Sequence, residues 1–142
     1  MERYLSHSAQ ETEAIAEAYA KRVKPNDVLA FFGGLGMGKT AFTRGLARGL
    51  GVKGEVLSPT FALVHEYEGA VPLYHFDMYR VTSFEDLYST GFFDYLDTGA
   101  VIAVEWSENI ADALPKGYKK VTIRRVSDEE REIVIEDGEQ ES

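Results

Sequence analysis

The octet GGLGMGKT at positions 33–40 constrains this chain more than any other feature, because it fits the phosphate-binding pattern G-x-x-x-x-G-K-[ST] without a mismatch. In this pattern, glycines let successive backbone N–H groups curve around phosphates. The lysine contacts the terminal phosphates and the hydroxyl ligates magnesium, and Lys39 and Thr40 occupy these two positions. The octet therefore predicts a loop that binds a nucleoside triphosphate together with Mg²⁺.

The residues on both sides of the octet favour the same interpretation. Residues 28–32 form a continuous apolar run, which is typical of a strand buried on both faces of a parallel sheet. Residues 40–50 have a helical period of apolar side chains, and Gly51 follows as the expected helix stop. Strand, glycine loop and helix are the three parts that the motif requires, so a glycine-rich turn without function is the weaker alternative.

Composition limits the classes of protein to which the chain can belong. With 142 residues, 44% of them hydrophobic, the chain is expected to form one domain over residues 1–142. Its net charge of −9 disfavours direct, stable binding of nucleic acid. The chain has no cysteine and no apolar stretch long enough to span a bilayer, and its N-terminus lacks the pattern of a signal peptide. We therefore expect a cytoplasmic protein with no membrane association.

The remaining pattern predicts an α/β fold. A first helix is expected after Ser8, short helical pieces after Ser83 and over 93–96, and helical turns over 108–114. Strands are expected at 60–67, 71–77, 100–104, 119–126 and 131–136, and residues 136–142 are expected to be a frayed acidic tail. Buried strands that alternate with helices predict a three-layer domain of the P-loop NTPase type, with a mixed, mainly parallel central sheet.

A second group of polar residues follows the buried strands. Glu105 comes directly after the apolar run 101–104, where a triphosphate site usually carries a carboxylate, and it is predicted to ligate magnesium opposite Thr40. By strand alternation, His75, Asp77 and Tyr79 are expected to share one face. The polar residues of 75–80 fit either a reactive site or a local ion-pair network.

Further residues have structural interpretations beside functional ones. Residues 58–61, with the sequence SPTF, fit either a simple proline turn or a switch whose hydroxyls sense the terminal phosphate. Trp106 is interpreted as a packing residue, and Tyr88 as a core or interface residue. The basic residues near the C-terminus are interpreted as a solvated hairpin face: Lys119, Lys120, Arg124 and Arg125.

Five motifs occur in an order that resembles the TsaE family. They are G-x-L-G-x-G-K-T (33–40), F-x-R-G (42–45), S-P-T-F (58–61), H-x-D-x-Y-R (75–80) and E-W-x-E-N (105–109). Proteins of this family are small bacterial P-loop ATPases of the machinery that forms threonylcarbamoyladenosine at position 37 of tRNA. The likeness covers about residues 8–110, which is most of the chain.

The resemblance implies an ATPase that binds ATP and Mg²⁺ and acts with two partners, the threonylcarbamoyl transferase subunit and its inactive, structurally similar companion. It implies contact with tRNA only through that complex. The implied catalytic residues are Asp77, Glu105 and Lys39, and the implied metal ligands are Thr40 and Glu105. The residues expected at the nucleotide are Gly33, Leu35, Gly36, Met37, Gly38, Lys39, Thr40 and Ala41.

The resemblance also assigns the switch to Ser58, Pro59, Thr60 and Phe61. Supporting roles are expected for the other motif residues: His75, Tyr79, Arg80, Trp106 and Glu108. Asp77 could act on the attacking water with Glu105 at the metal, or the two roles could be reversed. Two positions depart from the family pattern: Gly34 stands where an acidic residue is common, and Ala41 where a second threonine is usual. The alternative functions are a small-molecule kinase and a non-catalytic ATP-dependent interaction module.

Overall fold

The computed structural model describes residues 1–32, 38–53 and 64–138. Seven strands form one sheet: β1 (Glu2–Ser6), β2 (Val28–Phe32), β3 (Val64–Tyr67), β4 (Leu73–Asp77), β5 (Val101–Glu105), β6 (Lys119–Arg125) and β7 (Arg131–Asp137). The α-helices are α1 (Ala9–Tyr19), α2 (Lys39–Gly49), α3 (Phe84–Ser89) and α4 (Phe92–Tyr95). Two 3₁₀ segments span Ala20–Arg22 and Ser107–Ala113. The predicted loop residues 33–37, the predicted switch at 58–61 and the last four residues lie outside the described ranges.

The strand order is β1-β7-β6-β2-β5-β4-β3, and it confirms the predicted mixed sheet. The four central strands, β6, β2, β5 and β4, are parallel. At the two edges, β7 and β3 run antiparallel to them, and β1 pairs antiparallel with β7. Parallel strands direct their carboxyl ends to one edge of the sheet, where α/β proteins bind ligands. Every strand end that carries a predicted site residue therefore points to the same edge.

Both faces of the sheet are covered, as the three-layer prediction requires. On one face, α1 and α2 pack against a core that includes Leu29, Phe31 and Val101. On the other face, α3, α4 and the segment Ser107–Ala113 enclose a second core that includes Phe76 and Val104. Burial on both faces explains why β2 and β5 are continuous apolar runs rather than alternating patterns.

The crossing of α1 and α2 depends on a glycine of the F-x-R-G motif. A Cβ placed at Gly45 would overlap the carbonyl oxygen of Glu13, so only glycine allows the two backbones to approach this closely. Arg44 and Arg48 of α2 then form ion pairs with Glu13 across the crossing. The motif thus fixes how α2, the helix that follows the phosphate loop, is seated on α1.

Three predictions of local structure were wrong or incomplete. The strand β1 was not predicted, yet Glu2–Ser6 pairs along its whole length with β7. Residues 136 and 137 do not belong to a frayed tail, because both are in β7, where Asp137 is opposite Lys119 and forms an ion pair with it. The turns predicted over 108–114 form a 3₁₀ segment that is interrupted at Ile110. In the part of the chain that the structure describes, no helix has the length and apolarity needed to cross a membrane.

Candidate functional site

The described part of the phosphate loop ends on a left-handed glycine. Gly38 has a φ of +93°, a conformation that side chains other than glycine rarely adopt, and it is the residue from which α2 begins. Within the described residues, no side chain caps this helix start. The partial positive charge of a helix N-terminus favours an anionic ligand at this end of α2.

Lys39, the first residue of α2, is almost completely buried, with 4% of its surface exposed. Its ammonium Nζ lies 5.1 Å from the centroid of the Trp106 ring, which is within the range of a cation–π contact. Thr40 follows on the same helical turn and is partly exposed. A buried ammonium next to an uncapped helix start fits a site for the phosphates of a nucleotide.

Asp77 and Glu105 end two neighbouring parallel strands and are direct partners in their register. They therefore lie side by side on one face of the sheet, the face that also packs against α1 and α2. Glu105 is 9% exposed, whereas Asp77 is half-buried. Two carboxylates meet at the edge where the phosphate loop begins, because β2 lies next to β5.

The environment of Asp77 raises the pKa of its carboxyl group. Burial is the main cause, and the negative charge of Glu105 adds to it. A hydrogen bond of 2.9 Å that the backbone N–H of Tyr79 donates to Oδ1 opposes the shift, as do the nearby His75 and Lys39. A raised pKa makes this carboxylate a stronger base than an ordinary aspartate.

His75 is completely buried beneath Glu105. Its Nε2 lies 2.8 Å from Oε2 of Glu105, but within the described residues neither ring nitrogen has a partner with the alignment of a hydrogen bond. The short distance nevertheless fixes the two side chains against each other. His75 therefore lies in direct contact with Glu105 and also close enough to Asp77 to affect its pKa.

The segment after β5 is held against the segment after β4. Trp106 has a φ of +60°, a strained conformation for an aromatic residue, and its ring lies 4.9 Å from the ring of Tyr79. The amide Nδ2 of Asn109 donates hydrogen bonds to the carbonyl oxygens of Met78, at 2.8 Å, and Tyr79, at 3.2 Å. The E-W-x-E-N and H-x-D-x-Y-R motifs are therefore one structural unit, which their separation in sequence did not predict.

The other predicted supporting residues lie at the surface of this unit. Tyr79 and Arg80 follow the end of β4 and are exposed, so Tyr79 does not share the strand face of His75 and Asp77. Glu108 is exposed in the 3₁₀ segment. Trp106 packs on Tyr79 and Lys39, in agreement with its interpretation as a packing residue.

The donor set fits Mg²⁺ rather than a metal bound by the protein alone. Among the described residues, no group of three histidine, cysteine, aspartate or glutamate side chains is arranged to hold a metal ion. Mg²⁺ usually takes one or two protein oxygens and completes its shell with substrate phosphates and water. The hydroxyl of Thr40 and the carboxylate of Glu105 are oxygen groups of the kind that such an ion prefers.

A cavity of about 340 Å³ adjoins the start of α2. It lies between Gly38 and Ala41 on one side, Ser8 and Thr12 of the first helix region on another, and the turn between β6 and β7. Its volume is in the range of small-molecule pockets. The region around Ser8 and Glu11 was a possible contact for the base from the sequence, and Ser8 lines this cavity. The rest of the lining was not predicted, because it comes from segments more than a hundred residues apart.

The basic residues of β6 are neutralised by acidic neighbours. Lys119, Arg124 and Arg125 form ion pairs with Asp137, Glu132 and Asp128, respectively. Lys120 lies with its Nζ 5.0 Å from the centroid of the Phe32 ring. The hairpin is therefore a charge-balanced face and not a basic patch for a polyanion.

Comparison with known proteins agrees with the pattern of motifs. Residues 6–133 match the family model described as TsaE, threonylcarbamoyl adenosine biosynthesis protein. The chain is 46% identical over 128 residues to the tRNA threonylcarbamoyladenosine biosynthesis protein TsaE of Bacillus subtilis, covering 89% of this chain and 79% of the relative. It is 37% identical to the protein of the same name from Treponema pallidum, covering 94% and 98%. The fold superposes on the crystal structure of Bacillus subtilis YdiB with a TM-score of 0.77 and 37% identity, over 97% of this chain and 86% of that one.

Proposed function

The chain belongs to the TsaE family of threonylcarbamoyl adenosine biosynthesis proteins, and from that premise we propose that it is a Mg²⁺-dependent ATPase of this pathway. One observation carries the proposal. The buried Lys39 at the start of α2 lies close enough to Asp77 to affect its pKa, and Asp77 is the register partner of Glu105. A phosphate-binding cation and two carboxylates at one sheet edge are the parts that phosphoryl transfer to water needs.

We assign the following roles in ATP binding and hydrolysis to the residues of the site. Lys39 and the first N–H groups of α2 bind the terminal phosphates, and Thr40 and Glu105 hold Mg²⁺. When bound, the metal ion neutralises charge on the phosphates. His75 fixes the Glu105 carboxylate from below. The cavity beside Gly38 and Ala41 receives the nucleoside.

We assign the water-activating role to Asp77. Its raised pKa makes Asp77 a better proton acceptor than an ordinary aspartate, and the hydrogen bond that the Tyr79 N–H donates to Oδ1 fixes the orientation of its carboxylate. Glu105, with His75 against one oxygen, is better suited to the metal. Of the two assignments that the sequence left open, this is the one that we propose.

The ATP cycle is proposed to reset or regulate a partner complex, formed by the threonylcarbamoyl transferase subunit and its inactive, structurally similar companion. The switch residues Ser58 to Phe61 would respond to loss of the terminal phosphate. tRNA is reached through this complex, since the net charge is −9 and the β6 cations are paired with acids of the β6–β7 hairpin. The site of action in this proposal is the cytoplasm.

Phosphate release from Mg·ATP tests the proposal, first with the protein alone and then with the two partners added. We expect slow release that rises clearly with the partners, no release by Lys39→Ala, and loss of tRNA modification in Asp77→Asn. Turnover that ignores the partners but depends on an added small hydroxyl compound would indicate a kinase. ATP binding without turnover, even with the partners, would indicate a non-catalytic module. Full modification activity of Asp77→Asn would exclude Asp77 as the base.

A further inference from the structure

A groove of about 350 Å³ runs between the start of α3 and the segment Ser107–Ala113. Its walls come from residues 82–84 on one side and 108–113 on the other, and we call it the α3 groove. Its floor is apolar, because it includes the buried side chains of Leu87 and Ile110. The groove lies on the sheet face opposite α1 and α2, and it is separate from the cavity assigned to the nucleoside.

Two large aromatic side chains stand exposed at the rim of the α3 groove. Phe84 is 68% exposed and Tyr88 is 70% exposed, and their ring centroids are 6.4 Å apart. Phe84 also approaches Phe93 of α4, at 6.0 Å. Adjacent exposed aromatics beside an apolar floor are typical of a surface that is covered in a complex, because aromatic anchors supply much of the binding energy of interfaces.

The charge of the rim selects the kind of partner. Among the described residues that line the groove, Glu108 and Asp112 are acidic and none is lysine, arginine or histidine, and Glu85 adds an exposed carboxylate on α3. An acidic rim repels nucleic acid, and it also repels a second copy of this chain, which would bring the same rim and a net charge of −9. It favours a protein segment that carries lysine or arginine beside an apolar side chain.

The α3 groove is also connected to the carboxylate pair. Asn109 forms part of its wall, and the same side chain donates the hydrogen bonds to the carbonyl oxygens of Met78 and Tyr79, next to Asp77. The backbone N–H of Met78 in turn donates to the carbonyl oxygen of Glu105, at 3.0 Å. A ligand in the groove would therefore contact the residue that ties together the two strand ends of the site.

We propose that the α3 groove is the docking surface for a basic, apolar segment of a protein partner, and that its occupation acts on the carboxylate pair through Asn109. The choice of the transferase pair as that partner rests on the proposed function. Docking at this groove would let a partner control turnover without touching the nucleotide.

Binding of the purified transferase pair, in the presence of Mg²⁺ and a non-hydrolysable ATP analogue, tests the proposal. The variants are Phe84→Ala with Tyr88→Ala, which removes the aromatic rim, and Asp112→Lys, which reverses one rim charge. Leu5→Ala with Val126→Ala is the matched apolar control, since both residues are exposed far along the sheet in β1 and after β6. Glu68→Lys, in the turn between β3 and β4, is the matched charge control.

We expect both groove variants to weaken partner affinity about tenfold or more and both controls to bind like the wild type. Added salt should weaken the binding of the partner to the wild type, and it should weaken binding to Asp112→Lys by a smaller factor. Phosphate release without partners and thermal melting should stay close to wild type, which separates a docking defect from misfolding.

Wild-type affinity in both groove variants would overturn the groove while leaving the proposed function intact. A wild-type protein that neither binds the pair nor is stimulated by it would overturn the partner role and this docking together, with intrinsic ATP turnover still measurable. Sedimentation of the protein alone gives the last outcome: a dimer that Phe84→Ala with Tyr88→Ala converts to a monomer would identify the occupant as a second copy, and would contradict the proposal.

Discussion

Asp77 lies directly opposite Glu105 in the register of the parallel strands β4 and β5, although the two residues are far apart in sequence. Like charges at this spacing disfavour ionisation, and Glu105 adds to the burial that raises the pKa of Asp77. His75 lies against Glu105, with its Nε2 2.8 Å from Oε2. The raised pKa of Asp77 has consequences for stability that can be measured.

The first prediction concerns stability and pH. Because folding raises the pKa of Asp77 above its ordinary value of 3.8, the folded state binds this proton more tightly than the unfolded state. The free energy of unfolding therefore falls as pH rises from 3.8 through the raised pKa. We expect Asp77→Asn to stabilise the protein at pH 7, by roughly 0.5–2 kcal/mol, in urea titrations, with the difference disappearing at acidic pH where both side chains are neutral.

Asp86→Asn is the control with the opposite sign. Hydrogen bonds from the backbone and hydroxyl of Thr82 lower the pKa of Asp86. The stability that the ionised Asp86 contributes is fully present above pH 3.8, the ordinary pKa of aspartate, and is lost as pH falls through the lowered pKa. Asp86→Asn should therefore lower the free energy of unfolding at neutral pH. A lower free energy of unfolding in Asp77→Asn at pH 7 would contradict the conclusion that folding raises the pKa of Asp77.

The second prediction uses the single tryptophan of the chain. The Trp106 ring contacts Lys39, so a ligand that engages the Lys39 ammonium should change the tryptophan emission. We expect a saturable change on titration with Mg·ATP and none in Lys39→Ala. Lys120→Ala is the matched control, because Lys120 makes an equivalent contact with Phe32 and should leave the titration unaltered.

The third prediction concerns His75. Its side chain holds the Glu105 carboxylate, and groups behind a metal ligand commonly contribute 10-fold to 100-fold, in order of magnitude, to metal affinity. We expect His75→Ala to raise the Mg²⁺ concentration needed for half-maximal phosphate release by about tenfold. An unaltered Mg²⁺ requirement in His75→Ala would limit His75 to a packing role.

The fourth prediction concerns the crossing of α1 and α2. Gly45→Ala introduces a Cβ where the Glu13 carbonyl oxygen already lies, and this backbone atom cannot move aside without displacing α1. We expect a loss of about 1–3 kcal/mol in the free energy of unfolding, despite the higher helix propensity of alanine. Arg44→Ala, one position earlier, removes only an exposed ion pair and should cost less than about 1 kcal/mol. Equal stability of Gly45→Ala and wild type would show that the helices separate readily.

The sequence predicted secondary structure best for segments that are buried in the core, because their apolar pattern fits only one type of element. The strand at 28–32 was predicted with its observed bounds, because a short, continuous apolar run is typical of a strand that is buried on both faces of a sheet. The strand β1 was missed because Leu5 and other alternate residues are exposed, and only pairing with β7 makes the segment a strand. Glu136 and Asp137 read as a polar tail for the same reason: their strand structure comes from partners in β6.

The class of the protein follows from the sequence alone, since the phosphate-loop motif, the apolar strand runs and the carboxylates after them are local patterns of residue type and spacing. Which of these residues come into contact depends on the tertiary structure. The β4–β5 register placed Asp77 beside Glu105, and the left-handed Trp106 turned the segment after β5 so that its ring reaches Lys39. The α3 groove exists only because Ser107–Ala113 packs near α3. Such contacts depend on strand order and on the direction of chain turns, which are properties of the whole sheet and not of any one segment.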